Sequence, residues 1–285
     1  MKKLLFHFDT DSLPSTFDAV VAYDGGADHL IQLAGIDPQN VGPLVEGTIF
    51  TRPPKEKKNT AIFIGGSDLN QGQDLLEAIQ EQFYNKFRVS VMLDSSGCNT
   101  TAAAGVTLLK QMGPIAGKRA VVLAGTGPVG QRTAALLAKE GAEVVLTSRR
   151  RNRAEAAAAE MSQRFDVPLH PAVVFDDDTA KAALQDAQIV FATGRSGVQL
   201  LAAHLWQGNS SLEMMADVNT QPPFGIEGID MMDKGIERDG KVVLGGIGIG
   251  AFKLKLHRAC IAQLFESNEQ IMDVEEIYAL AKTLV

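Results

Sequence analysis

Residues 120–148, AVVLAGTGPVGQRTAALLAKEGAEVVLTS, limit the possible folds more than any other stretch of the chain. An apolar run ends in a glycine turn that opens directly into an alanine- and leucine-rich helical pattern, and a second apolar run follows. Gly125, Gly127 and Gly130 stand at the G-x-G-x-x-G spacing. That spacing alone is weak, since glycines are common in loops. Between a strand and a helix, inside a βαβ unit of about thirty residues, it specifies a dinucleotide-binding turn. The first glycine permits the tight turn, the second lets a pyrophosphate approach the backbone, and the third lets the helix pack on the strand. Thr126, Pro128 and Val129 complete the segment, where free amides at the helix start face the anion.

The second apolar run opens into LTSRRRNR, residues 146–153. An NAD-preferring site places Asp or Glu about twenty residues after the glycine turn, to bond the ribose 2′-hydroxyl. Here Ser148 and Arg149 stand there, followed by Arg150, Arg151 and Arg153. Without a carboxylate nothing repels a 2′-phosphate, and guanidinium groups offer planar, charge-assisted donors for one. A solvated helix start accounts for Arg151 and Arg153 but leaves Arg149 unexplained. NADP is therefore the expected cofactor, held by Ser148, Arg149, Arg150 and Arg153. Thr193 and Gly194, in the ATG that ends a later apolar run, should pass near the cofactor ribose. Gly248, within GGIGIG, either lets backbone approach the nicotinamide or belongs to a tight strand-to-helix turn.

Alternation of β-rich and helical runs extends over the whole chain and predicts an α/β, two-domain protein. A Rossmann-type NADP domain with a parallel sheet accompanies an α/β substrate domain. The expected boundaries are 1–102 for the substrate domain, completed by C-terminal helices over 262–285, and 103–261 for the Rossmann domain. KLLFHF, TAIFIGG and RVSVML read as strands of the first domain, DHLIQLAG and DLLEAIQEQF as helical. NTTAAAGVTLLKQM reads as a helix capped by Asn99 or Thr100, and TRPPKEKKN as a solvated loop. The N-terminal MKKLLFHF loses its apolar character at Asp9, too soon for an export segment. No apolar run reaches membrane-spanning length. Cys98 and Cys260 lack metal or disulfide spacing, so the expected location is the reducing cytoplasm. A net charge of −7 argues against a general nucleic-acid surface.

Catalytic signatures are sparse. Tyr278 and Lys282 form Y-x-x-x-K, but in an amphipathic helix at the extreme C-terminus. The five histidines are scattered without a metal pattern, and no G-x-S-x-G elbow occurs. Polar groups cluster instead at strand ends: Asp9 and Asp11, Asp24 before two glycines, and Asp94 before two serines. Together they predict an acidic, hydroxyl-rich cleft beside the cofactor domain. Lys253 and Lys255 fall at an expected helix start, unfavourable to the macrodipole, which points to a partner or a task.

The strings HFDTD, YDGGADH, SSGCNTTAAAGV, VVLAGTGPVG, ADVNTQPPFGIEGID and GIGIGAFKLKLHRACIAQLFES closely resemble the NADP-dependent methylene-tetrahydromethanopterin dehydrogenases of methylotrophic bacteria. The likeness runs from residue 2 to the C-terminus. It implies interconversion of methylene- and methenyl-tetrahydropterins, on tetrahydromethanopterin or tetrahydrofolate, by direct hydride transfer. It also implies two α/β domains with a cleft between them and a homo-oligomer, a trimer, with a small-molecule tetrahydropterin as partner. By this resemblance Lys253 is the leading catalytic candidate and Lys255 its rival. Asp9, Asp11 and Asp18 are candidates for the donor-rich pterin edge, with Asn99, Thr100 and Asn219 supplying neutral hydrogen bonds. The chain departs from the pattern by a slightly shorter segment before GKRAVV and by the basic Arg150–Arg151 pair. Two other classes stay open at this level: a carbonyl-reducing NADP enzyme of the shikimate dehydrogenase type, and a non-catalytic NADP-sensing protein.

Overall fold

The computed structural model describes residues 1–285, which form two compact units, Met1–Thr100 with Leu254–Val285 and Thr101–Lys253. The chain opens with β1 (Leu4–Asp9), α1 (Thr16–Asp24), β2 (His29–Leu33), α2 (Gly42–Phe50), β3 (Thr60–Gly65), α3 (Leu69–Glu81), β4 (Ser90–Leu93) and α4 (Cys98–Met112). It continues with β5 (Arg119–Leu123), α5 (Pro128–Lys139), β6 (Glu143–Ser148), α6 (Arg151–Phe165), β7 (Leu169–Val173), α7 (Asp177–Leu184), β8 (Ile189–Ala192) and α8 (Ala203–Trp206). Then come β9 (Met214–Asp217), β10 (Lys234–Arg238), β11 (Lys241–Leu244), α9 (Gly246–Gln263), β12 (Ile271–Met272) and α10 (Val274–Ala281). Whereas the sequence places the return to the first unit at 262, the chain re-enters it at Leu254, inside α9. No glycine or proline lies between Ala251 and Gln263 to break that helix.

The first unit is a parallel sheet ordered β12-β4-β3-β1-β2. Every residue of β3 and β4 is buried, the pattern of strands covered on both faces. Two expectations fail here. DHLIQLAG is the edge strand β2, paired with β1 from Leu4–His29 to Phe8–Leu33. Its apolar run is too short for periodicity to separate strand from helix, and pairing with β1 decides. TRPPKEKKN is not a solvated loop: Pro54–Asn59 makes a 3₁₀ turn with Lys57 fully buried. The Lys57 ammonium bonds the Ile49 carbonyl and lies 4.8 Å from the Phe87 ring centroid. Burial pushes its pKa down.

The second unit is a seven-stranded sheet ordered β10-β11-β9-β8-β5-β6-β7, parallel except for the edge strand β10. The chain winds outward from β5 in both directions, so the strand order reverses between β5 and β8. Doubly wound sheets bind ligands at that switch point. Val121, Leu123, Val190, Met215 and Trp206 share one core on a sheet face. Trp206 Nε1 satisfies its donor on the Glu227 carbonyl at 2.9 Å. In α4, a Cβ on Gly105 would stand 2.4 Å from Phe191 Cζ, so glycine there allows the helix to close on β8.

Candidate functional site

The three turn glycines have three different surroundings. A Cβ on Gly125 would lie 2.9 Å from Leu146 Cγ and 3.1 Å from the Val122 carbonyl. A Cβ on Gly130 would lie 2.6 Å from Gly125 Cα and 2.7 Å from Thr193 Oγ1, so α5 sits directly on the turn. Gly127 is the opposite case, with nothing within 4 Å of its Cβ position. It is the residue before α5, and no side chain caps that helix start. Open backbone at an uncapped helix N-terminus is a cradle for a pyrophosphate. Gly125 N donates to the Thr147 carbonyl at 2.9 Å, and Gln131 Nε2 to the Thr126 carbonyl at 3.2 Å, which fixes the turn between β5 and β6.

These surroundings separate two expected effects. Gly130→Ala lowers the melting temperature, since overpacking costs roughly 1–3 kcal/mol. Gly127→Ala, at an ordinary φ of −82°, leaves unfolding nearly unchanged. It is expected to raise the Kd for a nicotinamide dinucleotide by about tenfold, because the added methyl fills the open space before α5. Paired thermal melts and cofactor titrations check this; equal loss of stability in both variants would refute it.

Beside the turn lies a cavity of about 700 Å³, of a size suited to a cofactor. Thr126, Ser148, Arg149, Arg150, Arg153 and Gly194 line it, so six of the residues expected at the cofactor converge there. Ser148 ends β6 and its Oγ accepts from Arg150 N at 3.3 Å. Arg150 precedes α6, another helix start without a side-chain cap, so guanidinium groups and free amides meet at one place. Arg151 stands apart from the cavity and pairs with Glu155 one turn on, at 3.7 Å. Two carboxylates also line the cavity, each already engaged. Asp176 caps α7, and its bonds from Thr179 hold its carboxyl below the usual carboxylate range. Asp177 pairs with His204 at 2.8 Å. These residues fit a dinucleotide with a phosphorylated ribose.

Other expected cofactor residues have structural work. Thr193 Oγ1 donates to the Leu123 carbonyl at 3.0 Å, tying β8 to β5. Pro128 and Val129 form the first turn of α5. GGIGIG is mostly the start of α9 itself rather than a loop before it. A Cβ on Gly248 would lie 2.2 Å from the Asp233 carbonyl, and one on Gly245 2.0 Å from the Asp230 carbonyl. Both glycines are needed for α9 to pack against residues 230–233. Lys253 and Lys255 consequently lie two turns inside the helix, and the macrodipole reasoning does not apply to them. Lys253 is half-buried, while Lys255 Nζ donates to the Leu284 carbonyl at 2.7 Å and anchors the C-terminus.

Among the substrate candidates the polar atoms are unequally committed. Asp9 is 1% exposed and accepts from Asp11 N at 2.9 Å and Ser15 N at 3.1 Å, which shapes the loop into α1. His7 Nε2 also meets it at 3.2 Å. Burial depresses the His7 pKa against the opposing pull of Asp9, and Nδ1 accepts from Gln32 Nε2. Asn99 and Thr100 are not caps, and their donors are spent inside the unit. Asp94 Oδ1 accepts both backbone amides, at 2.9 and 3.0 Å. Asn99 Nδ2 donates to the Leu93 carbonyl and Asp273, and the Thr100 hydroxyl to Asp94 Oδ2. Their residue types matched a ligand role, but their surroundings supply the partners. Asp11 is partly exposed and accepts from Ser67 Oγ at 2.8 Å. Asp18 lies in the first turn of α1, partly exposed. Asn219 is buried beyond β9, its backbone N–H donating to Asp217 Oδ1 at 3.0 Å. Burial raises the Asp217 pKa, opposed by the backbone donors of Asn219 and Ile226. Asp24 pairs with Arg258 at 2.7 Å, and Lys282 Nζ lies 4.6 Å from the Tyr278 ring centroid.

Sequence reasoning missed Arg195, Phe175 and Val198, which line the same cavity. Arg195 had a usable signal, a cation immediately after the strand-end ATG. The other two lie in loops whose approach to the turn depends on the sheet order.

Comparison with known proteins agrees with both halves of this geometry. Residues 16–96 match the family model described as methylene-tetrahydromethanopterin dehydrogenase, N-terminal, and residues 115–225 match one described as NAD(P)-binding. The chain is 56% identical over 285 residues to the bifunctional protein MdtA of Methylorubrum extorquens, covering 99% of each chain. It is 30% identical to the NAD(P)-dependent methylenetetrahydromethanopterin dehydrogenase of the same organism, over 94% of this chain and 93% of that one. A solved shikimate 5-dehydrogenase from Mycobacterium fortuitum shares the fold at a TM-score of 0.54, with 12% identity and 98% of each chain covered.

Proposed function

Since the chain belongs to the methylene-tetrahydromethanopterin dehydrogenase family and is an NAD(P)-dependent enzyme of that kind, we propose that it uses NADP to oxidise methylene-tetrahydromethanopterin, methylene-tetrahydrofolate, or both, to the methenyl form. The observation that carries the NADP preference is the end of β6. Ser148, Arg149, Arg150 and Arg153 meet at the cavity, with no carboxylate at the position that bonds a free 2′-hydroxyl.

A methylene carbon between two nitrogens can release hydride directly, because the nitrogen lone pairs stabilise the resulting amidinium cation. No proton leaves the carbon, so the absence of a triad or a placed histidine base is no obstacle. Bound NADP supplies the hydride acceptor at nicotinamide C4. The chain's tasks are to hold the pyrophosphate at Thr126–Gly130, hold the 2′-phosphate at the arginines, orient the pterin, and exclude water that would hydrolyse the methenyl product. Asp11 and Asp18 are assigned to the pterin edge and to the developing positive charge, Asn219 to a neutral contact, and Lys253 to orienting the pterin beside its reacting nitrogens. On the family resemblance, the enzyme works as a cytoplasmic homotrimer in methylotrophic one-carbon metabolism.

One assay tests this reading. The absorbance of the reduced nicotinamide is followed with NADP and with NAD, each paired with either methylene carrier. Turnover with at least one carrier and a preference for NADP is expected; no turnover with either carrier, or preference for NAD, overturns it.

A further inference from the structure

From the same cavity, and resting on its assignment to NADP, we infer that the Phe175 ring is the platform on which the adenine base stacks, with Val198 adding apolar contact. A single exposed apolar residue needs no explanation. Phe175 is 63% exposed and Val198 43% exposed, and both line the cavity that also takes Arg149, Arg150 and Arg153. Val174, Leu200 and Leu201 extend the apolar wall. A cavity lined by both guanidinium groups and apolar side chains suits a flat heteroaromatic ring attached to a phosphate.

Strand register places the two features side by side. Ser148 of β6 pairs with Val173 of β7, and Val174 N donates to the Ser148 carbonyl at 3.0 Å. Phe175 therefore stands two residues beyond the partner of Ser148, as Arg150 stands two beyond Ser148 itself. In NADP the base leaves C1′ and the extra phosphate leaves C2′ of one ribose, so the groups that hold them must be neighbours. The backbone under the ring is fixed: Phe175 N donates to Thr179 Oγ1 at 3.0 Å, and Asp176 N to the same oxygen at 3.1 Å, within the capping box of α7. The backbone that carries the ring is thus held in place while the ring stays open to a ligand, which limits the backbone entropy lost on binding.

Stacking does not sense the 2′-phosphate. Phe175 contributes affinity to any adenosine ligand, and the arginines discriminate between them. The test is calorimetric titration of the full-length protein with adenosine 2′,5′-bisphosphate and with AMP. It needs no turnover, so failure of the pterin assignment leaves it unaffected. Phe175→Ala is expected to weaken both probes by about tenfold, the scale of one base–aromatic stack, with Phe175→Tyr within about twofold of the native protein. Unchanged binding in Phe175→Ala, or loss confined to the bisphosphate, overturns the inference. A native protein that binds neither probe removes the NADP assignment itself, and this inference with it.

Discussion

Replacing Arg149 and Arg150 together by alanine raises the KM for NADP by about ten- to a hundredfold and leaves that for NAD within about threefold. The size follows from the chemistry of the lost contacts. A hydrogen bond to a charged group contributes about 1.5–3 kcal/mol and about 1.4 kcal/mol is a factor of ten, so the expected loss is that of about one full bond, solvent screening of the two exposed guanidinium groups taking the rest. Both arginines are exposed at the cavity wall and carry no packing load, so the fold should tolerate their removal. NAD presents a hydroxyl at the same carbon and does not engage a guanidinium pair in the same way. The measurement is steady-state kinetics with both cofactors at a saturating methylene carrier. Equal losses with NADP and NAD would mean that the arginines serve the pyrophosphate or the fold, not the 2′-phosphate. Arg151→Ala is the internal control: its side chain pairs with Glu155, and it should change neither constant by more than about twofold.

The second large effect concerns turnover. Lys253→Met should reduce kcat by about a hundred- to a thousandfold, the range seen when one preorganised electrostatic group is removed from a reacting centre. NADP affinity should stay within about threefold, because the cavity at the glycine turn does not include Lys253. Methionine keeps the length and apolar stem of lysine while removing the ammonium, which separates charge from packing. The rival residue makes the comparison informative. Lys255 anchors the Leu284 carbonyl, so Lys255→Met should loosen the C-terminal segment with kcat within about threefold. Near-normal kcat in Lys253→Met would take that residue out of the mechanism.

Much of the second unit was legible in the sequence, because its signals are local. A Cβ would meet close neighbours at Gly125 and Gly130 and nothing within 4 Å at Gly127, a packing of the turn that depends only on residues close in sequence and on the strands beside it. Arg149, Arg150 and Arg153 fall at the cavity because strand end, turn and helix start are adjacent in the chain. The acidic and amide candidates of the first unit were less legible. Asp9, Asn99 and Thr100 have the residue types of ligand contacts, yet His7, Ser15, Leu93, Asp94 and Asp273 take up their polar atoms. A side chain's hydrogen-bonding capacity is written in its formula, but the partner that satisfies it can lie 174 residues away, as with Asn99 and Asp273.

By itself the sequence determined the class of fold, the glycine turn, the cationic strand end and the resemblance that names the reaction. Each is a matter of residue type at short, fixed spacing, where backbone geometry leaves few alternatives. Tertiary structure alone decided that HLIQL is an edge strand, that Lys57 is buried, and that GGIGIG is helix packed on residues 230–233. It also brought Phe175 and Arg195 to the cavity. Those outcomes depend on pairing and packing between distant segments, which local preference is too weak to specify.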